Sequence, residues 1–366
     1  MAKKKKILIV LFLFFVIIGV VLLIVQNIKI KEIVTEDLVE VLEGTIQDTD
    51  PLSLGWEQVV DHAIWEARDS HAVVVHRDKI WVMGGLNGTN RLVSPGNVDY
   101  GSAPHFNDVW SSEDGVRWDI ILNKAPWGER RSIQVVSFKN KMWLMGGWGP
   151  EVGYKNNIWS SMDGLEWKIE TTSASWPARE GHNLLVFKDK IWLIGGVKYT
   201  GQKLFNDVWF SEDGVIWEEA TKNAGWDPRW DFASTVFDNK LWVIGGMAFG
   251  DKVFNDVWSS EDGVKWTLIN DNPSFGLRQG LLATDYKNKL WVIGKLNIPL
   301  YGGGVNDVWF SDDGVFWQKT KEDPIWTGRE DSGIIIFQDK VWIIGGMDSN
   351  WEWKNDVWKS TISETK

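Results

Sequence analysis

One block of sequence is written six times into this chain, and that recurrence limits what the chain can fold into more than any other feature. One copy reads Trp176-Pro177-Ala178-Arg179-Glu180-Gly181-His182, followed by an apolar run and a polar turn ending in Lys190-Ile191-Trp192-Leu193-Ile194-Gly195-Gly196. After a loop come Asn206-Asp207-Val208-Trp209 and then Ser211-Glu212-Asp213-Gly214-Val215-Ile216-Trp217. The tryptophans of the apolar run are Trp81, Trp143, Trp192, Trp242, Trp291 and Trp342. After a first interval of 62 residues their spacing holds at 49 to 51. A fixed period of about 50 marks a repeat architecture, and this length suits one four-stranded blade of a β-propeller.

Each repeat divides into four short strands. The first follows the arginine, as in Asn183–Phe187; the second is Ile191–Ile194, ended by the glycine pair; the third is Asp207–Phe210; the fourth begins near Trp217. The second strand is almost continuously apolar, as expected when neighbouring blades cover both of its faces. Lys188-Asp189-Lys190 and Glu212-Asp213-Gly214 read as tight hairpin turns, the glycine supplying the positive φ. The last copy ends at Trp358-Lys359-Ser360 without a fourth strand, while an unpaired copy of that strand stands near the other end as Gly55-Trp56-Glu57-Gln58-Val59. Joining the two closes the ring and removes exposed sheet edges. The expectation is an all-β, six-bladed propeller over residues 51–366 whose N-terminal strand completes the C-terminal blade.

These residues resemble the kelch propellers: the Gly-Gly pair, the tryptophan downstream of it and the arginine near the next repeat follow the kelch pattern, and the resemblance covers about residues 51–366. The fifth copy departs from it, with Gly294-Lys295 in place of the glycine pair. The Ser-x-Asp-Gly-x-x-Trp stretches are similar to the Asp-box turns of sialidases, but hold one residue fewer between Asp and Gly. Kelch folds include enzymes, sugar binders and protein-interaction modules, so fold alone does not choose among them. Galactose oxidase, a kelch relative, builds its copper radical cofactor from a cysteine–tyrosine cross-link. This chain has no cysteine, so that cofactor cannot form. The six-bladed sialic-acid mutarotases are the nearest enzyme analogy, in architecture only.

Ahead of the repeats, Ile7 to Val25 are 19 consecutive apolar positions, counting Gly19, preceded by Lys3 to Lys6. That length spans a bilayer, and the lysines hold the N-terminus in the cytoplasm. The expected order is a basic tail (1–6), a transmembrane signal-anchor helix (7–25), a juxtamembrane stalk (26–50) and an extracytoplasmic propeller. A cleaved signal peptide is the alternative; no small-x-small cleavage site follows the apolar run. Removing the six lysines of residues 1–31 from the 39 basic residues leaves 33 against 50 acidic ones, a net charge of −17. Such a surface repels nucleic acid and anionic lipid.

Function is expected on the face bearing the loops between the second and third strands and the links between blades, because those loops vary. The first-blade loop Leu86–Phe106 has 21 residues, where its second-blade counterpart Trp148–Lys155 has eight. It carries Arg91, Asp99, Tyr100 and His105, and reads either as a lid over the channel mouth or as a disordered insertion. Of the repeated arginines, Arg68, Arg179, Arg229 and Arg329 are candidate polar contacts, able to grip carboxylates or sulfates. The competing reading makes them scaffold, tied to backbone carbonyls or to a nearby acid such as Glu66, Glu180, Asp227 or Glu330. Trp148, Trp230, Trp351 and Trp353 are candidate stacking contacts for sugar faces or protein partners. Glu151, Asp231 and Asp348 lie near them as candidate acceptors. His71 and His182 share one slot in two blades and read as buried histidines; no spacing indicates a metal site, and no cofactor is expected. The functional expectation is a membrane-anchored binding module for a glycan or a cell-envelope protein. The alternative is a carbohydrate-active enzyme, mutarotase- or lyase-like, with an arginine and a Glu or Asp at the mouth.

Overall fold

The computed structural model describes residues 54–94, 97–294 and 306–362. Among them there is no helix, and apart from one two-stranded hairpin the strands form six antiparallel sheets arranged as the blades of one propeller. The expected transmembrane helix 7–25 and stalk 26–50 lie outside the described residues.

Five blades take their strands in simple chain order, from the innermost outward. In the third blade these are Asn183–Phe187, Lys190–Lys198, Lys203–Ser211 and Glu218–Thr221. The sixth blade is built from Gly333–Phe337, Lys340–Asp348 and Trp353–Ile362, and its outermost strand is Leu54–Val60, paired antiparallel to Trp353–Ile362. The closure read from the sequence is therefore the closure of the fold. Trp56 stands edge-on to Trp326, with ring centroids 4.4 Å apart. It takes the place that the fourth-strand tryptophan holds in the other blades, as Trp118 does against Trp65.

Alternation along the second strand explains its unbroken apolar run. Ile191 and Leu193 pack into the gap towards the second blade, whereas Trp192 and Ile194 pack into the gap towards the fourth. Successive side chains of a strand point to opposite faces, so both faces must be apolar when both are covered. One buried cluster fills each of the six gaps between blades. The strand tryptophans also reach the next blade: a Cβ on Gly164 would lie 2.1 Å from the Trp81 ring, so the turn residue there must be glycine for packing as well as for its φ of +73°.

One expectation needs correction, and one pair of alternatives narrows. The glycine pair does not end the second strand in the third, fourth and sixth blades; the strand runs on through it, as in Lys190–Lys198. The pairing register shifts there: Ile194 faces Val208 and Gly196 faces Phe205, so Asn206 and Asp207 of the third strand bulge opposite Gly195, and Gly195 and Gly196 follow with φ of +59° and +109°. The long first-blade loop is also ordered where it is described: a small hairpin, Leu92–Ser94 with Asn97–Val98, stands over a buried cluster of Leu86, Val98, Ala103, Met347 and Trp353.

The Asn-Asp-Val-Trp segment holds the ring together. Its asparagine stitches each blade to the link beyond it: Asn206 Nδ2 donates to the Ala224 and Trp226 carbonyls, and Asn355 Nδ2 to those of Ala63 and Trp65, which closes the circle. Its aspartate locks its own blade through the repeated arginine.

Candidate functional site

The repeated arginines are part of that lock. Arg179 donates to Asp207 Oδ1 and Oδ2 at 2.5 and 2.8 Å and to the Gly195 carbonyl at 2.9 Å, and Trp209 Nε1 donates to the same carboxylate at 2.8 Å. Arg68, Arg229 and Arg329 repeat this arrangement on Asp108, Asp256 and Asp356. All four guanidinium groups are buried and their hydrogen-bonding capacity is spent inside the blade. Arg68, Arg179, Arg229 and Arg329 are thus scaffold and not ligand contacts. Their partner is the Asn-Asp-Val-Trp aspartate, not the acids beside them in sequence.

What reaches the channel mouth is the residue immediately after each arginine. Those residues are Asp69, Arg131, Glu180, Trp230, Gln279 and Glu330, all but Gln279 lining the mouth cavity, and they break the sixfold pattern. Backbone hydrogen bonds to the residue that follows the glycine pair fix several of them: Arg131 pairs with Trp148, Glu180 with Val197, and Trp230 with Met247. One step further on, Ser70, Ser132, Gly181, Asp231, Gly280 and Asp331 all have positive φ, between +49° and +60°. Four of these six are not glycine. Side chains in that region carry strain, which Asp tolerates better than most. The left-handed step turns Asp231 and Asp331 toward the channel just before the innermost strand begins.

These residues enclose a cavity of about 460 Å³. Its polar wall consists of Asp69, Glu180, Asp231, Glu330 and Asp331 with Arg131. Arg131 and Glu180 form a two-bonded ion pair, with Nε to Oε2 at 2.9 Å and Nη2 to Oε1 at 3.3 Å. Ser70 Oγ donates to Asp331 Oδ2 at 2.8 Å. Burial pushes the carboxyls of Asp69, Asp231, Glu330 and Asp331 above the ordinary carboxylate range; the Asp331 charge adds to this at the other three. Burial also raises Glu180, against the pull of Arg131. Burial opposes the charge on Arg131, but Glu180 outweighs it and holds the guanidinium ionised.

Aromatic side chains form the other wall. Tyr100 comes from the first-blade loop, Trp148 and Tyr154 from the second blade, and Tyr199 and Trp230 from the third and fourth. The Arg131 guanidinium lies 4.3 Å from the Tyr100 ring centroid and 5.2 Å from that of Trp148. The Trp230 ring centroid is 5.6 Å from Tyr199 and 5.0 Å from Phe249. The Tyr199 backbone N–H donates to the Tyr154 hydroxyl at 3.0 Å. Below the mouth the channel narrows to a space of about 150 Å³. His71 and His182 line it, and burial pushes both imidazoles down to about 3, leaving them neutral.

Of the stacking candidates, Trp148 and Trp230 line the cavity, whereas Trp351 and Trp353 do not. Trp353 is buried in the cluster under the first-blade loop, and Trp351 packs on the edge of that cluster at a tight turn. Among the candidate acceptors only Asp231 belongs to the site. Asp348 is buried, accepts the backbone N–H groups of Asn350 and Glu352, and pairs with Lys354; Glu151 is exposed. Asp69, Arg131, Tyr154, Tyr199 and Asp331 escaped the sequence reading. For Asp69 and Arg131 the signal was available: at one offset from a repeated arginine, the chain stops repeating.

The class defined by this fold is a six-bladed β-propeller with a carboxylate-rich, aromatic-walled mouth. No protein-family profile matches the sequence, and no curated protein matches it. In three dimensions the chain is similar to the solved structure of YjhT, with a TM-score of 0.64 and 16% identity over 84% of this chain and 98% of that one. A likeness at that identity establishes the architecture.

Proposed function

We propose that this protein is a membrane-anchored, extracytoplasmic glycan-binding module of kelch type, and that sugars dock in the mouth cavity. The observation that carries this reading is the pairing of an aromatic wall with a carboxylate wall in one cavity. Its size lies within the range of about 300–1,000 Å³ usual for small-molecule sites. Aromatic faces take the C–H side of a sugar ring, and carboxyl oxygens take its hydroxyls. The anchor and its orientation rest on the apolar run and the lysines before it. The burial of the repeated arginines moves the expected ligand away from acidic sugars: the site carries five carboxyls and one guanidinium, already paired.

A glycan-array screen of the full chain in detergent tests the reading. Uncharged or basic glycans are expected to bind, and Trp148→Ala is expected to weaken them with little change in melting temperature. Capture of a protein ligand with no response to any glycan would refute the proposal. An enzymatic reading is favoured by one feature, the buried carboxyls held above their ordinary range beside the ionised Glu180–Arg131 pair, since a protonated carboxyl serves as a general acid. Turnover of a bound sugar that is lost in Glu330→Gln while binding persists would favour it.

A further inference from the structure

The mouth has far more acid than base. Glu180 engages the only guanidinium that lines it among the described residues, which leaves Asp69, Asp231, Glu330 and Asp331 without an ion-pair partner among those residues. Asp331 has the Ser70 hydroxyl. Asp69 is 3% exposed, lines the cavity, and its Oδ1 has no hydrogen-bond partner among the described residues. A buried carboxylate oxygen without a donor costs free energy unless something supplies one. Its backbone is held by paired hydrogen bonds with Leu86, so the side chain cannot leave by local fraying.

We propose that the mouth cavity selects a sugar bearing a free ammonium group, with Asp69 receiving the ammonium and Trp148 and Trp230 receiving the ring. This deepens the glycan reading above and rests on it. The carboxyls are spread around the mouth: among the described residues no three His, Asp or Glu side chains converge closely enough to hold a metal ion. Dispersed acids suit an organic cation with several N–H donors. A lysine side chain offers the same ammonium, but as a thin chain it leaves most of a cavity of about 460 Å³ and its aromatic wall unfilled. A sugar ring fills both. An ammonium–carboxylate hydrogen bond in a partly desolvated site is also among the stronger polar contacts, so it discriminates well against the acetylated amine, which carries no charge.

The test is calorimetric titration of the full chain in detergent with two probes of equal length. One is a tetramer of β-1,4-linked glucosamine, and the other is the same tetramer fully N-acetylated. The glucosamine tetramer is expected to bind at least about tenfold more tightly, in line with one added charged hydrogen bond, and to keep most of that advantage at higher salt, because a buried pair is screened little. Asp69→Asn is expected to bring the glucosamine tetramer down to the affinity of the acetylated one, whatever the change in that shared affinity. Asp331→Asn, which keeps an acceptor for Ser70, is expected to reduce the preference and serves if the first variant does not fold. Equal binding of both tetramers overturns ammonium selection and leaves the glycan reading standing. A preference that survives in Asp69→Asn overturns the assignment to Asp69. Binding of neither tetramer, or a tetralysine peptide competing as well as the sugar, overturns the proposal, and the former weakens the glycan reading with it.

Discussion

Asn157→Asp is expected to stabilise the propeller. In five blades the repeated arginine meets an aspartate, and the second blade places Asn157 in that position. Arg130 Nη1 reaches Asn157 Oδ1 at 3.0 Å and the Gly146 carbonyl at 3.2 Å, while its Nε finds no partner. The Trp159 indole N–H, whose counterparts Trp209 and Trp258 donate to the aspartate, is also buried without a partner. Burial without a counter-charge lowers Arg130 to about 10. At about 1.4 kcal/mol per pKa unit, the fall from the ordinary arginine value is a penalty of roughly 3 kcal/mol. A base depressed in the folded state carries its penalty at every pH below the folded value and sheds it only as pH rises through that value, here about 10. The stabilisation should therefore be constant at neutral pH and shrink in strong alkali. An aspartate supplies the counter-charge and a partner for the indole, for an expected gain of about 1.5–3 kcal/mol, or a rise of roughly 3–6 °C in melting temperature for a chain of this size. Scanning calorimetry of wild type and N157D measures it, with Asp207→Asn as the mirror experiment, expected to lose a similar amount. A melting temperature for N157D at or below that of wild type would refute the claim that the arginine–aspartate lock is a net stabilising unit.

Two further outcomes follow from the site and the scaffold. The folded-state values of Asp69, Asp231, Glu330 and Asp331 lie above the ordinary carboxylate range, so the folded protein holds more protons than the unfolded chain within that window and stability falls as pH rises through it. Burial works the other way on His71 and His182, held down to about 3, because the unfolded chain takes up their protons first, so the measurement is a difference: the urea midpoint of wild type relative to Glu330→Gln should rise as pH falls towards the range where ordinary carboxylates titrate, and a difference that does not change with pH contradicts the upward shift of Glu330. Gly164 and Gly201 both have positive φ, but an added Cβ meets the Trp81 ring at the first and nothing within 4 Å at the second. Gly201→Ala should cost about 1 kcal/mol for the backbone alone and Gly164→Ala roughly 2–4 kcal/mol with the clash added; equal losses in chemical denaturation would refute the interlocking of tryptophan and turn.

The scaffold was legible because it repeats. Each gap between blades poses the same packing problem, and the chain answers it with the same tryptophan, glycine and arginine, so six copies corroborate one another even where one departs, as at Gly294-Lys295. The continuation of the strand through Gly195-Gly196 was not legible, because a glycine pair serves equally well to end a strand or to face a bulge, here Asn206-Asp207 on the next strand, and the register of the pairing decides which. The site was harder to read for the opposite reason. Repetition at the arginine invited a functional ring, but a group that recurs in every blade has a partner in every blade, and here that partner is Asp108, Asp207 or their equivalents. A ligand is not sixfold symmetric, so its contacts must differ from blade to blade at one shared level of the channel. The position after the arginine meets that condition, with Asp69, Arg131, Glu180, Trp230, Gln279 and Glu330 in turn. The loops confuse the search further, since loop aromatics are alike in sequence whether they face the mouth, as Trp148 does, or support another loop, as Trp353 does. In a closed repeat fold, the positions to test first are those where neighbours on both sides still repeat and the residue between them does not.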